Sequence, residues 1–298
     1  MPQILSGYVY KNEEEYGDYS AGAYNGSPFF KELDSRGYEI FLYDKELVWY
    51  GKKTFDIKND SGNAKLKFGK FFEQEMRYVW FKYLPYAFKK AAEIEKLDFG
   101  QCVDMFDDRN DAMYNEIRGS ALSVTSGAQF RFIHAEGAHV PLNMDENMNR
   151  ISDGTYMQKT IASVKLITTF LERLKQNGAY DNSVIIIMSD HGYQSEPDKF
   201  YDHFLMRANP ILLIKGFGEK HGLAYSEKLV SYLDLQQAYL DLLGGRQSSE
   251  LFPNAEFPRT RTFIRAPYGA EEHMVEYQTD GRANEWDKFV ATGEVYDL

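Results

Sequence analysis

The stretch that decides the fold is Ser183-Val184-Ile185-Ile186-Ile187-Met188-Ser189-Asp190-His191-Gly192. Its apolar run predicts a strand covered on both faces, as in a parallel sheet. Asp190 and His191 follow at the carboxyl end of that strand, where ligands gather in an open α/β sheet. A carboxylate beside an imidazole, followed by a permissive glycine, indicates a divalent-metal site. The competing interpretation is a polar turn in which Asp190 caps the next segment.

Strands and helices alternate on both sides of this stretch. Apolar runs predict further strands at residues 38–43, 129–134, 210–214, 262–265 and 273–278. Helical spacing and helix-ending glycines predict helices at residues 28–36, 156–176 and 227–243. This alternation predicts an α/β fold with a doubly wound, mostly parallel sheet, built as one domain over residues 1–298.

Residues 44–126 depart from the alternating rhythm. Residues 68–97 have helical spacing of apolar side chains and are interrupted at Pro85. We therefore expect a mostly helical insertion over residues 44–126. A charge cluster at Asp107, Asp108, Arg109 and Asp111 is interpreted as a solvated turn or a helix cap.

Charge and cysteine content narrow the classes of function. The formal net charge of −11 disfavours a general nucleic-acid binder, which needs a basic face to displace phosphate counterions. A bound metal ion can still give a negative protein local positive charge for an anionic ester. Since Cys102 is the single cysteine, an internal disulfide framework and a cysteine-rich zinc site are excluded.

Residues 156–192 carry a specific resemblance. A long helix is followed by the bend Gly178-Ala179-Tyr180-Asp181-Asn182-Ser183, an apolar strand and Ser189-Asp190-His191. This order resembles the alkaline-phosphatase/sulfatase superfamily, and within it the branch of lipoteichoic acid synthases and phosphoethanolamine transferases. Residues 132–142, which precede this stretch, and residues 209–216 and 231–244, which follow it, are similar to three further family segments in the right order.

The resemblance implies roles for individual residues. Asp190 and His191 would be ligands of a divalent metal ion, with Mn, Mg, Zn and Ca all open. His139, in the family's His-x-Pro loop, would contact the bound phosphate or sulfate group. His203 would line the site.

The other histidines have less specific interpretations. His134 is interpreted as structural, and His221 and His273 are interpreted as surface or strand residues. Trp49 and Lys52 are weaker candidates for substrate contacts.

The first residues, Met1 to Tyr8, resemble the family segment that follows the catalytic nucleophile. We therefore expect the nucleophile and the first strand to precede Met1, and Ser6 not to be the nucleophile. On this expectation the chain contains no catalytic residue of its own and lacks turnover.

The intact parent would be a hydrolase or phosphotransferase of phosphate or sulfate esters that acts through a covalent intermediate. Its substrate could be a glycolipid or a polysaccharide. Membrane helices before this chain would hold it at the extracytoplasmic face of the membrane.

Two other interpretations remain open at this point. A sulfatase-like domain without turnover could bind a carbohydrate or an anionic cell-envelope polymer, which the aromatic content of 15% would suit. A phosphoglycerate-mutase-like or nucleotide-pyrophosphatase member of the superfamily would need more Asp and His ligands for a second ion. The six histidines of this chain supply few such matches.

Overall fold

The computed structural model describes residues 2–11, 13–43, 52–59, 68–92, 110–120, 127–192, 206–252, 259–265 and 273–297. The chain forms two compact units. The first comprises Met1–Gly37, Trp49–Phe55 and Asn177–Leu298, and the second comprises Tyr38–Val48 and Asp56–Gln176. Among the described residues, no helix is both long and apolar enough for a membrane crossing.

The described helices and strands follow the chain in this order. The α-helices are α1 (Pro2–Ser6), α2 (Tyr16–Gly26), α3 (Pro28–Ser35), α4 (Phe68–Tyr83), α5 (Asn110–Gly119), α6 (Tyr156–Gln176) and α7 (Leu235–Leu243). The strands are β1 (Glu39–Tyr43), β2 (Ile57–Asn59), β3 (Gln129–Ile133), β4 (Ile185–Met188), β5 (Leu212–Lys215), β6 (Arg261–Arg265), β7 (His273–Thr279) and β8 (Val290–Asp297). Short 3₁₀ turns include Tyr86–Ala92 and Tyr232–Asp234.

The second unit is built on a parallel sheet with the strand order β2-β1-β3. The register of β1 and β3 pairs Ile40 with Phe130 and Leu42 with Phe132. Helices α5 and α6 pack together, and their apolar sides enclose a core of Tyr114, Met144, Met148, Ala162 and Leu166. Helix α6 has the predicted bounds, because its apolar positions recur at helical spacing up to the Asn177-Gly178 stop.

In the first unit, α3 begins where Ser27 accepts a hydrogen bond from the backbone N–H of Phe30 at 3.3 Å. Pro28 then occupies the first turn, where a missing N–H has no cost. Gly37 follows the helix with a φ of 72°, a conformation that glycine adopts without steric strain. The buried side of α3 places Phe29 against Tyr239 of α7.

The pairing of β4 differs from the sequence-based expectation. Strand β4 pairs with β5, and the two run antiparallel, with Ile186 opposite Ile214. Val184 and Ile186 pack with Ile214 against the buried residues Ala238, Leu242 and Leu251. A run of apolar residues indicates that both faces of the strand are covered. It does not indicate whether the neighbouring strand is parallel or antiparallel. The last three strands form an antiparallel sheet with the order β6-β7-β8.

The helix predicted at residues 227–243 is shorter than expected. Its α-helical part begins only at Leu235, after the 3₁₀ turn Tyr232–Asp234. Ser231 and Asp234 form a reciprocal capping box that starts the turn. Because this capping box lies at Ser231, the helical segment begins there and not at residue 227.

Within residues 44–126 the described elements are β2, α4, the 3₁₀ turn Tyr86–Ala92 and α5. The long helical pattern of residues 68–97 divides at Pro85, because proline cannot donate the hydrogen bond that continues a helix. That these residues form an insertion in a single catalytic domain stays a prediction.

Candidate functional site

The turn Ser189–Gly192 is held in place at both of its ends. At one end, Ser189 donates its backbone N–H to the Ile211 carbonyl at 3.2 Å, and Ile211 donates its own N–H to Ser189 Oγ at 3.1 Å. The hydroxyl of Tyr232 also donates to the Ser189 carbonyl. At the other end, the N–H of Gly192 donates to the Arg207 carbonyl at 2.8 Å. These bonds fix the backbone that carries Asp190 and His191.

The two predicted metal ligands present their donor atoms side by side. His191 Nδ1 lies 2.6 Å from the Gly192 carbonyl oxygen, and since a carbonyl can only accept, the ring proton resides on Nδ1. The Nε2 lone pair then faces the carboxylate of Asp190, with 3.8 Å between Nε2 and Oδ2. Metal-binding histidines commonly donate their other N–H to a carbonyl in this way.

The spacing of these donors suits a shared cation. Two ligands of one Mg, Mn or Zn ion lie roughly 3–3.4 Å apart, given metal–ligand distances of about 2.1 Å. A small rotation of the Asp190 side chain, which is 54% exposed, covers the difference from 3.8 Å. The pair would supply two ligands, so a complete metal site would need further donors.

His221 has nearly the same local geometry and shows what is specific to His191. Its Nδ1 contacts the next carbonyl at 2.9 Å, and its Nε2 lies 3.7 Å from Glu219 Oε2. The Glu219 carboxylate, however, is only 4% exposed and accepts three hydrogen bonds, from the N–H of Gly216 and from the N–H and hydroxyl of Ser248. It has no accessible oxygen to offer an ion. An accessible carboxylate distinguishes Asp190.

Tyr232 is a supporting residue of the turn that sequence reasoning missed. Burial raises the pKa of its hydroxyl well above the ordinary value of 10.0, and the negative charge of Asp190 adds to the effect. The hydroxyl therefore stays protonated and keeps donating to Ser189. Tyr232 lies in a stretch whose family likeness was visible, but its hydroxyl contact spans 43 residues and has no local signal.

His139 lies in the second unit, on a loop anchored from beneath. Its backbone N–H donates to the Glu136 carbonyl at 3.2 Å, and its Nδ1 is 2.6 Å from the Val140 carbonyl oxygen. The ammonium group of Lys159, on α6, donates to the carbonyls of both His139 and Pro141. Lys159 is only 1% exposed, whereas the His139 side chain is exposed. The loop thus presents an imidazole at the surface.

The structure places the predicted site residues in different parts of the chain. Asp190 and His191 are adjacent in the first unit, His139 belongs to the second unit, and His203 and Trp49 lie outside the described residues. Over the described ranges, no group of three or more His, Cys, Asp or Glu side chains could hold a metal ion. That His139 shares one pocket with Asp190 and His191 stays a prediction.

The remaining candidates are accounted for by local contacts. His134 follows the last residue of β3 and donates its backbone N–H to the carbonyl of Tyr43, the last residue of β1, at 2.8 Å. Asp111, in the first turn of α5, accepts two hydrogen bonds from Arg150 at 2.7 and 2.9 Å. Its bond with Arg150 holds the pKa of Asp111 below its usual value. Lys52 is exposed, and its carbonyl accepts a hydrogen bond from Asn25.

Comparison with known proteins adds the family context. A family model described as Sulfatase matches residues 1–245. The solved structure of Ps i-CgsB in complex with k-i-k-neocarrahexaose is similar with a TM-score of 0.52 and 16% identity, covering 93% of this chain and 70% of that chain.

A protein in the alkaline phosphatase superfamily from Vibrio parahaemolyticus is similar with a TM-score of 0.51 and 11% identity, covering 99% of this chain and 65% of that chain. No curated protein sequence matches this chain. At such identities the structural likeness concerns the fold alone, and it confirms the predicted α/β fold of the alkaline-phosphatase type.

Proposed function

Because this chain belongs to the sulfatase family, we propose that it forms part of a divalent-metal-dependent enzyme of sulfate or phosphate esters. The observation that carries the proposal is the pairing of an exposed Asp190 carboxylate with the Nε2 lone pair of His191. Both lie on a turn that four hydrogen bonds hold in place, two of them between backbone groups. A pair of hard and borderline donors on a fixed backbone suits Mn, Mg, Zn or Ca.

Each residue of the turn has a role in this proposal. Asp190 and His191 would hold the ion, which when bound supplies positive charge near the ester oxygens. The Gly192 carbonyl keeps the proton on Nδ1 of His191, so that Nε2 remains available as a ligand. Tyr232 keeps the Ser189 backbone at a constant distance from α7.

We assign His139 the role of donating a hydrogen bond to a non-bridging oxygen of the sulfate or phosphate group. Because Nδ1 of His139 already lies 2.6 Å from the Val140 carbonyl oxygen, His139 would donate to the ester from Nε2 as a doubly protonated imidazolium, in which both ring nitrogens are donors. A donor held at that position favours the transition state over the ground state. Lys159 supports this assignment, because a buried ammonium on two carbonyls restricts the loop. No described residue is assigned the role of the nucleophile.

The proposed substrate is an ester on an anionic saccharide or a glycolipid headgroup. One structural neighbour was solved with a neocarrahexaose, an oligosaccharide ligand. The sequence resemblance to the lipoteichoic acid synthase and phosphoethanolamine transferase branch favours a cell-envelope substrate at the extracytoplasmic face. Water as acceptor would give a hydrolase, and a hydroxyl acceptor would give a transferase.

Metal binding by this chain tests the assignment of ligands. Isothermal titration with Mn²⁺ should show binding that Asp190→Asn and His191→Ala each weaken by at least about tenfold, since each removes one ligand. His221→Ala is the matched control, because His221 has the same local geometry beside a sequestered carboxylate. Equal Mn²⁺ affinity in the wild type and in both ligand variants would remove the turn from the metal site.

Turnover is a separate measurement, made on the full-length protein with p-nitrophenyl sulfate and bis-p-nitrophenyl phosphate. We expect His139→Ala to lower kcat by about 10²–10³-fold, the loss typical of one transition-state hydrogen-bond donor. His221→Ala should retain full activity. Metal binding without turnover on either ester would instead support a sulfatase-like domain that binds a saccharide.

A further inference from the structure

Helix α4 displays a continuous apolar stripe to solvent. All 16 of its residues are described, and none of them is buried. The stripe consists of six exposed side chains: Phe68, Phe72, Met76, Val79, Trp80 and Tyr83. Trp80 is 59% exposed and Tyr83 is 75% exposed. Apolar groups of this size on one helix are unusual at a surface without a binding role.

The stripe lies on a single face of the helix. With a rotation of about 100° per residue, its six positions fall within an arc of roughly 120°. Phe68 and Phe72 stack with ring centroids 6.3 Å apart, so the start of the face is already ordered. Beyond Pro85, the 3₁₀ turn adds the exposed rings of Tyr86 and Phe88. The aromatic surface therefore extends past the end of the helix.

The segment that carries the stripe has a net positive charge, whereas the chain as a whole is negative. Residues 68–92 contain five basic and two acidic residues, in a protein with a net charge of −11. One of the acidic residues, Glu73, is neutralised by Arg77 at 2.9 Å. Lys82 and Lys90 are exposed beside the aromatic surface. The second acidic residue, Glu75, lies at the edge of the stripe beside Lys82, so the positive charge belongs to the segment as a whole. An apolar face in a segment with more basic than acidic residues has the composition of a helix that lies in a membrane interface.

We propose that the α4 stripe inserts into the interface of an anionic lipid bilayer. Phenylalanine, methionine and valine side chains would enter the acyl boundary, while Trp80, Tyr83 and Tyr86 would remain at the level of the headgroups, where amphipathic rings are favoured. The lysines would contact anionic lipid phosphates. This attachment is peripheral and independent of the metal site.

Two other occupants fit the observations less well. A saccharide platform needs polar side chains among its rings to recognise hydroxyl groups, whereas the stripe itself carries Met76, Val79 and two phenylalanines. A symmetric dimer through the stripe would bring the lysines of both copies together, which like-charge repulsion opposes. The combination of lipid-like apolarity and positive charge favours the bilayer.

Vesicle co-sedimentation tests the proposal. The chain should bind vesicles of phosphatidylglycerol and phosphatidylcholine, and bind pure phosphatidylcholine vesicles more weakly. Phe72→Ser combined with Trp80→Ser should weaken binding at least tenfold, and Lys82→Gln and Lys90→Gln should each weaken it about fivefold. The control Tyr225→Ser removes a still more exposed ring, 92% exposed, from the first unit and should have no effect. Circular dichroism checks that each variant folds.

A second measurement needs no loss-of-binding variant. Brominated lipids should quench the fluorescence of Trp80 in the wild-type chain, and Trp80→Phe should remove that quenching. Absence of vesicle binding would overturn the proposal. A dimer that dissociates in the Phe72→Ser, Trp80→Ser double variant would also overturn it. The same holds if the double variant abolishes binding to a sulfated polysaccharide while its binding to vesicles persists.

Discussion

Lys159 offers the most direct test of how the fold supports the candidate ester-binding loop. Its ammonium group is buried and donates to the carbonyl oxygens of His139 and Pro141, the second at 2.9 Å. Replacing it by methionine keeps the volume of the side-chain stem, so the cavity contribution is small. The change therefore isolates the polar contacts between α6 and the loop.

The expected magnitude follows from the contacts. A hydrogen bond to a charged donor contributes about 1.5–3 kcal/mol, so losing two costs roughly 3–6 kcal/mol. Part of this loss is offset, because the variant no longer buries an ammonium ion. We expect Lys159→Met to lower the free energy of unfolding by about 2–4 kcal/mol.

Urea unfolding monitored by circular dichroism measures this loss, and hydrogen exchange of the peptide covering residues 134–143 localises it. Lys175→Met is the matched control, because Lys175 is exposed on the same helix. The control should change stability by less than about 0.5 kcal/mol. An equally small change for Lys159→Met, with unaltered exchange in the loop, would refute the anchoring role.

Three further outcomes are expected in the first unit. Tyr232→Phe leaves the Ser189 carbonyl without its donor and should destabilise by about 1–2 kcal/mol in urea unfolding, while an unchanged midpoint would contradict the contact. Asp234→Ala removes the acceptor of the Ser231 backbone N–H and the bidentate ion pair with Arg259 at 2.5 and 2.7 Å, and should cost about 2–3 kcal/mol. Asp234→Asn, which can still accept from the Ser231 N–H, should cost less. For Glu219, burial alone would raise the pKa, but its three hydrogen bonds outweigh burial and lower the pKa below its ordinary 4.5. The stabilisation by the ionised Glu219 is therefore complete above about pH 5 and is lost as the pH falls through the lowered pKa. Glu219→Gln should make the free energy of unfolding depend less on pH in the acid range. Parallel stability–pH curves for the wild type and the variant would contradict this.

The local features of this protein were readable from its sequence. The bounds of α6 follow from apolar side chains at helical spacing and from the glycine that ends the pattern. The strands β1, β3 and β4 follow from short apolar runs. Asp190 and His191 had to be adjacent at the end of β4, because the chain itself joins them. Helix α2 was not predicted, since three glycines interrupt its sequence and its apolar side chains form no clear stripe.

Contacts between distant residues were decided by the tertiary structure. The direction in which β4 meets β5, the burial of Lys159 under the His139 loop and the donation by Tyr232 to Ser189 each join residues far apart in the chain. Periodicity and motifs report only which face of an element is covered. Which partner covers that face depends on packing of the whole unit, because each buried polar group must find its hydrogen-bond partner after the elements have assembled.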